Sequence, residues 1–184
     1  MKATEDLKNE HKGVTLMLRI LEKICVSYES DKKIDKNHMG KILEFFTVFV
    51  DTCHHGKEEE FLFPALVSVG IQKEGGPIGV MLAEHDQGRG FVKAMKQSLS
   101  SYKTGDASAA VSLVTNAGSY IQLMTQHIQK EENVLFDMAD KHLSEERQMG
   151  LWEEFEKLEK ERIGAGRHEA FHELLHELKE IYSV

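Results

Sequence analysis

His54-His55-Gly56-Lys57-Glu58-Glu59-Glu60-Phe61-Leu62-Phe63 returns, at residues 127–136, as His127-Ile128-Gln129-Lys130-Glu131-Glu132-Asn133-Val134-Leu135-Phe136. Six of the ten positions are identical: His54/His127, Lys57/Lys130, Glu58/Glu131, Glu59/Glu132, Leu62/Leu135 and Phe63/Phe136. Upstream of each copy a Glu-His pair also recurs, as Glu10-His11 and Glu84-His85. Each half of the chain therefore reads as a helix carrying one His, followed by a helix carrying His-x-x-x-Glu. An internal repeat of this kind predicts a duplicated helical hairpin.

At about 100° per residue, positions i and i+4 lie only about 40° apart, so the His and Glu of each copy project from one helix face. An imidazole and a carboxylate on one face can reach the same metal ion or adjacent ions. Helical phase puts the histidines inward. His54 shares a stripe with Leu43, Thr47, Val50 and Phe61, and His127 with Leu113, Tyr120, Leu123 and Val134. His85 aligns with Ile78, Met81, Val92 and Leu99, and His11 with Leu7, Val14, Leu18 and Cys25. His55 lines up instead with Glu44, Asp51 and Glu59, which reads as a polar flank, so phase and repeat both choose His54 and Glu58 over His55 and Glu59.

A lone buried His is ordinarily a hydrogen-bonded core residue, and a lone His-x-x-x-Glu is ordinarily a surface pair. Four inward His and two inward Glu, placed alike in both halves, would leave several buried groups unsatisfied without a metal, each costing about 1–3 kcal/mol. The candidates are His11, His54, Glu58, His85, His127 and Glu131. Oxygen and imidazole donors with no thiolate suit iron or manganese, and also zinc.

Outward from the repeat, helical periodicity runs through nearly the whole chain. The pattern predicts helices over about 3–28, 36–69, up to about 102 after the Gly70–Pro77 loop, 107–140, 144–162 and 167–182. Pro64 is expected to kink or interrupt the second of these. Asp106 and Ser144 read as N-caps, and Gly164-Ala165-Gly166 as a break. With no competing strand signal, the prediction is all-α: four long antiparallel helices plus a shorter C-terminal pair. Residues 1–143 would form the bundle and 144–184 a helical extension packed on the same domain. In that extension His168, His172 and His176 recur every four residues. Phase sets His176 in solvent and leaves His168 as a further candidate for a ligand or gate.

Composition narrows the classes. The chain has 184 residues, a net charge of −8, 10 His and only 2 Pro. Few prolines agree with long helices, and an acidic surface repels nucleic acid. Two Cys cannot build a disulfide framework, so a reducing, cytoplasmic setting is expected. The charged start, Met1-Lys2-Ala3-Thr4-Glu5-Asp6, shows no apolar leader, and no membrane contact is expected.

The ordered set His11, His54-x-x-x-Glu58, His85, His127-x-x-x-Glu131 resembles the hemerythrin-like (HHE cation-binding) family over about residues 3–141. The resemblance implies an up-and-down four-helix bundle around a non-haem diiron centre with an oxo or hydroxo bridge. The four His would be terminal ligands, and Glu58 and Glu131 would bridge. Oxygen-carrying hemerythrins place a second His four residues after the third-helix His, where this chain has Arg89, and they end in His-x-x-x-x-Asp, where it has Glu131 and Glu132. A fifth His is thus absent from its usual place, which leaves a coordination position for a small ligand and points away from simple oxygen carriage. The implied function is binding of O2, NO or peroxide, in sensing or in protection against oxidative or nitrosative stress. The alternatives are an enzyme reducing peroxide or NO, with an electron-donor protein as partner, and an iron donor in iron–sulfur cluster repair.

Overall fold

A computed structural model describes residues 1–164 and 166–184, and every regular element among them is helical. Helix α1 spans Ala3–Asp31, with Glu5 and Asp6 in its first turn complementing the helix dipole. It outruns the expected end at 28 because Tyr28 still packs on the core, and it stops at Lys32, which adopts a left-handed backbone. Asp35 caps the second rod by accepting the N–H groups of Asn37 and His38 at 2.9 and 2.8 Å. That rod, α2, is helical over 36–68. Helix α3 spans Pro77–Lys103. Helix α4 begins at Ala109, after an Asp106 turn that accepts the Ser108 N–H, and runs to His142. Helix α5 covers Glu145–Arg162, capped by Ser144, and α6 covers Arg167–Tyr182. Gly164 and Gly166 both take positive φ between them, 85° and 84°, a conformation that glycine adopts without strain. Ala165, read from sequence as part of that break, lies outside the described residues.

Pro64 does not interrupt α2. The rod widens into π turns over Phe46–His55 and Glu58–Leu62, and Pro64 sits in the first turn of the α-helical stretch that follows. The wide turn carries the Phe63 N–H back to the Glu58 carbonyl, five residues away. Helix α4 widens at the equivalent place, Glu131–Leu135, with no proline nearby. The duplicated π turn is therefore tied to the repeated Glu rather than to Pro64; such turns gather at functional sites.

The core is split in two. Leu7, Leu62, Met81 and Leu135 belong to one apolar cluster, and Val14, Val50, Val92 and Met124 to the other. Between these pairs lie His11, His54 with Glu58, His85, and His127 with Glu131. A polar layer thus crosses all four rods at one level. Helices α1 and α3 pass through it from the first cluster to the second, and α2 and α4 pass the opposite way. The C-terminal helices close two sides: Leu151 and Phe155 of α5 join the first cluster, and Phe171, Leu175 and Leu178 of α6 join the second. Among the described residues, no helix is long and apolar enough to cross a membrane.

Candidate metal centre

All six residues expected from the sequence meet in the polar layer, and each is at most 2% exposed. The Nε2 atoms of His11 and His54 face each other at 3.1 Å, and those of His85 and His127 do the same at 3.1 Å. Two carboxylates span the pairs. Glu58 sets one oxygen 3.8 Å from His54 Nε2 and the other 3.4 Å from His85 Nε2. Glu131 sets one oxygen 3.2 Å from His11 Nε2 and the other 3.0 Å from His127 Nε2.

The opposite ring nitrogens explain why the charges of the repeat are themselves repeated. Each Nδ1–H donates to a carboxylate: His11 to Glu132 at 3.0 Å, His54 to Glu10 at 2.8 Å, His85 to Glu59 at 2.7 Å and His127 to Glu84 at 3.0 Å. Lys57 donates to Glu10 at 2.6 Å, and its counterpart Lys130 donates to Glu84. Phe136 stacks on the His11 ring and Phe63 on the His85 ring, at 5.4 and 5.9 Å between centroids. Every identical position of the two decapeptides therefore either faces the layer, braces a group that does, or fills the core beside it.

This bracing fixes the chemistry. An imidazole that donates from Nδ1 presents a bare lone pair at Nε2, the arrangement outer carboxylates impose on metal-binding histidines. Two pairs of such lone pairs converge on Glu58 and Glu131, whose four buried oxygens have no hydrogen-bond donor. Only cations satisfy a layer of facing lone pairs and unpartnered carboxylates. Without metal, protons must serve. Burial opposes charging His11, yet Glu131, Glu58 and Glu132 outweigh it and push the ring up to about 9. His85 is likewise raised to about 11 against burial, by Glu131, Glu58 and Glu59. Glu131, although buried, is held well below the carboxylate range by His127, His11 and His85.

His55 corrects the sequence reading. It lies not on a polar flank but 3% exposed, its ring stacked on His85 with centroids 3.7 Å apart. A phase of about 100° per residue holds only for α-helical turns. The π turns of Phe46–His55 take an extra residue per turn, and this rotates both His54 and His55 inward. Thr52 supports the wide ladder, its hydroxyl donating to the Thr47 carbonyl at 3.0 Å. Neither His55 nitrogen has a hydrogen-bond partner. Burial, followed by the charges of His85, His54 and His127, drives its pKa well below 6.5 and keeps the ring neutral. A usable signal existed: position 55 matches Ile128 in the repeat, an apolar residue that is also buried.

The donors fall into two sets, His11, His54, Glu58 and Glu131, and His55, Glu58, His85 and His127, each with its atoms within 4.8 Å of one another. Glu58 belongs to both. His168 is in neither set. It stacks on Phe49 at 5.4 Å and groups with Glu10 and Glu159, outside the layer. Its position on α6 is held by the apolar face of that helix, which turns His172 and His176 to solvent. Arg89 stands outside the layer too, donating to Glu59 at 2.6 Å and Asp51 at 2.7 Å, and so braces the partner of His85.

Helical rods crossed by a buried layer of paired imidazoles and shared carboxylates define an all-helical protein whose His/Glu donor sets could hold metal ions. The hemerythrin HHE cation-binding domain model matches residues 2–139, and the chain belongs to that family. An uncharacterized protein of Mycobacterium tuberculosis (strain ATCC 25618 / H37Rv) is 24% identical over 162 residues, 88% of this chain and 63% of its own length. The iron-sulfur cluster repair proteins of Yersinia pestis (strain Pestoides F) and Dickeya chrysanthemi (strain Ech1591) are 35% and 33% identical over 91 and 90 residues. Those matches cover 48% of this chain and 41% of each relative. No solved structure matches the chain.

Proposed function

We propose that the chain is a diiron protein that binds a small ligand, O2, NO or peroxide, in sensing or in protection against oxidative or nitrosative stress. The observation that carries this reading is the convergence of four outward-braced histidines, through their Nε2 lone pairs, on two carboxylates without donors. His11 and His54 would hold one ion, His85 and His127 the other, and Glu58 and Glu131 would bridge. His55, stacked on His85 and grouped with Glu58 and His127, would offer the second ion a fifth imidazole. A ferrous pair supplies two exchangeable electrons, the chemistry that small oxidants and NO require. The opposed directions in which the four rods cross the layer support an up-and-down bundle made of a duplicated hairpin, with 144–184 packed against it as an extension of the same domain.

What the chain's own residues contribute is order and exclusion. Glu132, Glu10, Glu59 and Glu84 hold the four tautomers, while Phe63 and Phe136 shield the rings from water. A second reading, iron donation to damaged clusters, rests on the likeness to proteins named for iron–sulfur cluster repair. His54→Ala and Glu58→Ala should each sharply lower iron content, read by elemental analysis, and two irons per chain in both variants would overturn the assignment. Anaerobic ferrous protein mixed with a small excess of O2 separates the functions. A coloured adduct that reverses on removing O2 marks a binder, whereas prompt irreversible oxidation favours redox sensing or turnover. Transfer of iron to an apo-cluster protein is the result that would favour donation.

A further inference from the structure

The polar layer is flanked by two cavities of opposite sign. One, of about 240 Å³, is walled by Asp6, Glu10, Glu156 and Glu159 together with His168 and His172. The other, of about 220 Å³, lies between α2, α3 and α4, and has His55 at its inner wall and Tyr120 beside it. Its charged lining is Arg89, Lys93 and Lys96 against the single carboxylate of Asp51. That is a reversal of sign in a chain whose net charge is −8. Arg89 is held by Asp51, Glu59 and Asp86 at 2.7, 2.6 and 2.9 Å, so the cavity's free cations are Lys93 and Lys96, which are exposed and have no ion-pair partner among the described residues. At the inner end stands a buried imidazole, stacked on His85, whose nitrogens make no hydrogen bond among the described residues and whose Nδ1 lies 3.5 Å from Asp51 Oδ1.

We infer that this cavity is the access route of a small monoanion of two or three heavy atoms to the His85–His127 side of the centre, drawn in by Lys93 and Lys96. The inference rests on the reading of the layer as a diiron site and adds an anionic class of ligand to the neutral O2, NO and hydrogen peroxide of that reading. The volume fits such an ion with a few waters, since one water occupies about 30 Å³. A low-dielectric cleft lined by one sign of charge concentrates ions of the other sign and raises their association rate. The carboxylate-walled cavity on the Glu10 side repels the same ion, so the two faces of the layer are not equivalent.

The test uses iron-loaded, diferric protein, rapid mixing with sodium azide, and the absorbance change on anion binding. NO binding to the diferrous protein serves as the neutral control. Lys93 and Lys96 touch none of the layer's groups, so K93Q/K96Q and the charge-reversed K93E/K96E should keep full iron content. Azide association should fall about three- to tenfold in K93Q/K96Q at low salt, and further in K93E/K96E. The wild-type azide rate should fall with added salt, and NO rates should stay level in all three proteins. Azide rates indifferent to salt and to both variants would overturn the route and leave the diiron reading standing. Wild-type iron-loaded protein that takes up neither azide nor NO would overturn the small-ligand reading itself.

Discussion

Lys57 and Lys130 occupy the same position of the repeat and hold equivalent glutamates, yet removing them should have very different consequences. Lys57 is 1% exposed and lies 2.6 Å from Glu10, 3.0 Å from Asp6 and 3.4 Å from Glu159. Lys130 is 43% exposed and pairs with Glu84 at the rim. The cause is α5, which covers the Lys57 side through Leu158 and Phe155 and has no counterpart over Lys130 among the described residues. Lys57→Met keeps the apolar stem but strips a buried cluster of its one permanent cation. Breaking a buried pair in this way costs about 3–5 kcal/mol, because the carboxylates stay behind unpaired. Lys130→Met removes an exposed pair worth about 0–1 kcal/mol. Urea denaturation of metal-free protein reads both without linkage to metal binding. With a slope of about 2 kcal/mol per molar urea, the Lys57→Met midpoint should fall by about 1.5–2.5 M and that of Lys130→Met by at most about 0.5 M. Two variants within about 1 kcal/mol of each other would refute the argument, since burial alone would then not distinguish the two halves.

Other expectations follow from the same geometry. Glu84→Gln and Glu132→Gln leave every Nε2 in place but weaken the bracing of His127 and His11, so metal affinity measured by chelator competition should drop about 10- to 100-fold. Unchanged affinity would mean the tautomers are set by something else. Burial raises the Cys25 thiol to about 11 and the Cys53 thiol further, so at pH 8 both should alkylate over a hundredfold more slowly than a free cysteine. A fast-reacting Cys53 in native protein, located by mass spectrometry, would contradict its packing with Leu158 and Ile163. A Cβ at Gly90 or Gly118 meets nothing within 4 Å. G90A and G118A should therefore each stabilise by about 0.5–1 kcal/mol in the same urea assay through helix propensity. A loss in either would show that its helix needs the glycine.

Much of this protein is legible in one decapeptide and its copy. The period of His54, Glu58, Leu62 and of His127, Glu131, Leu135 marks both the helices and the inward face, because residues four apart stay within about 40° of one another in α turns and in the π turns found here alike. The duplication of Glu10-His11 as Glu84-His85 adds the remaining histidines, and the repeated Lys57/Lys130 and Glu59/Glu132 already carry the bracing charges, although their partners are invisible without the fold. Three things only the tertiary structure decided. His55 turns inward because α2 widens into π turns, and periodicity reckoned at 100° per residue cannot register a change in the turn itself. His168 stays away from the layer because the docking of α6 through Phe171 and Leu175 fixes where that helix's polar flank falls, which is a property of the interface rather than of the helix. The sign of each cavity depends on which side chains from α1, α2, α3 and α5 come together across it. Residues such as Lys93 and Asp51, or Asp6 and Glu159, are far apart along the chain, and their charges combine only once packing has made them neighbours.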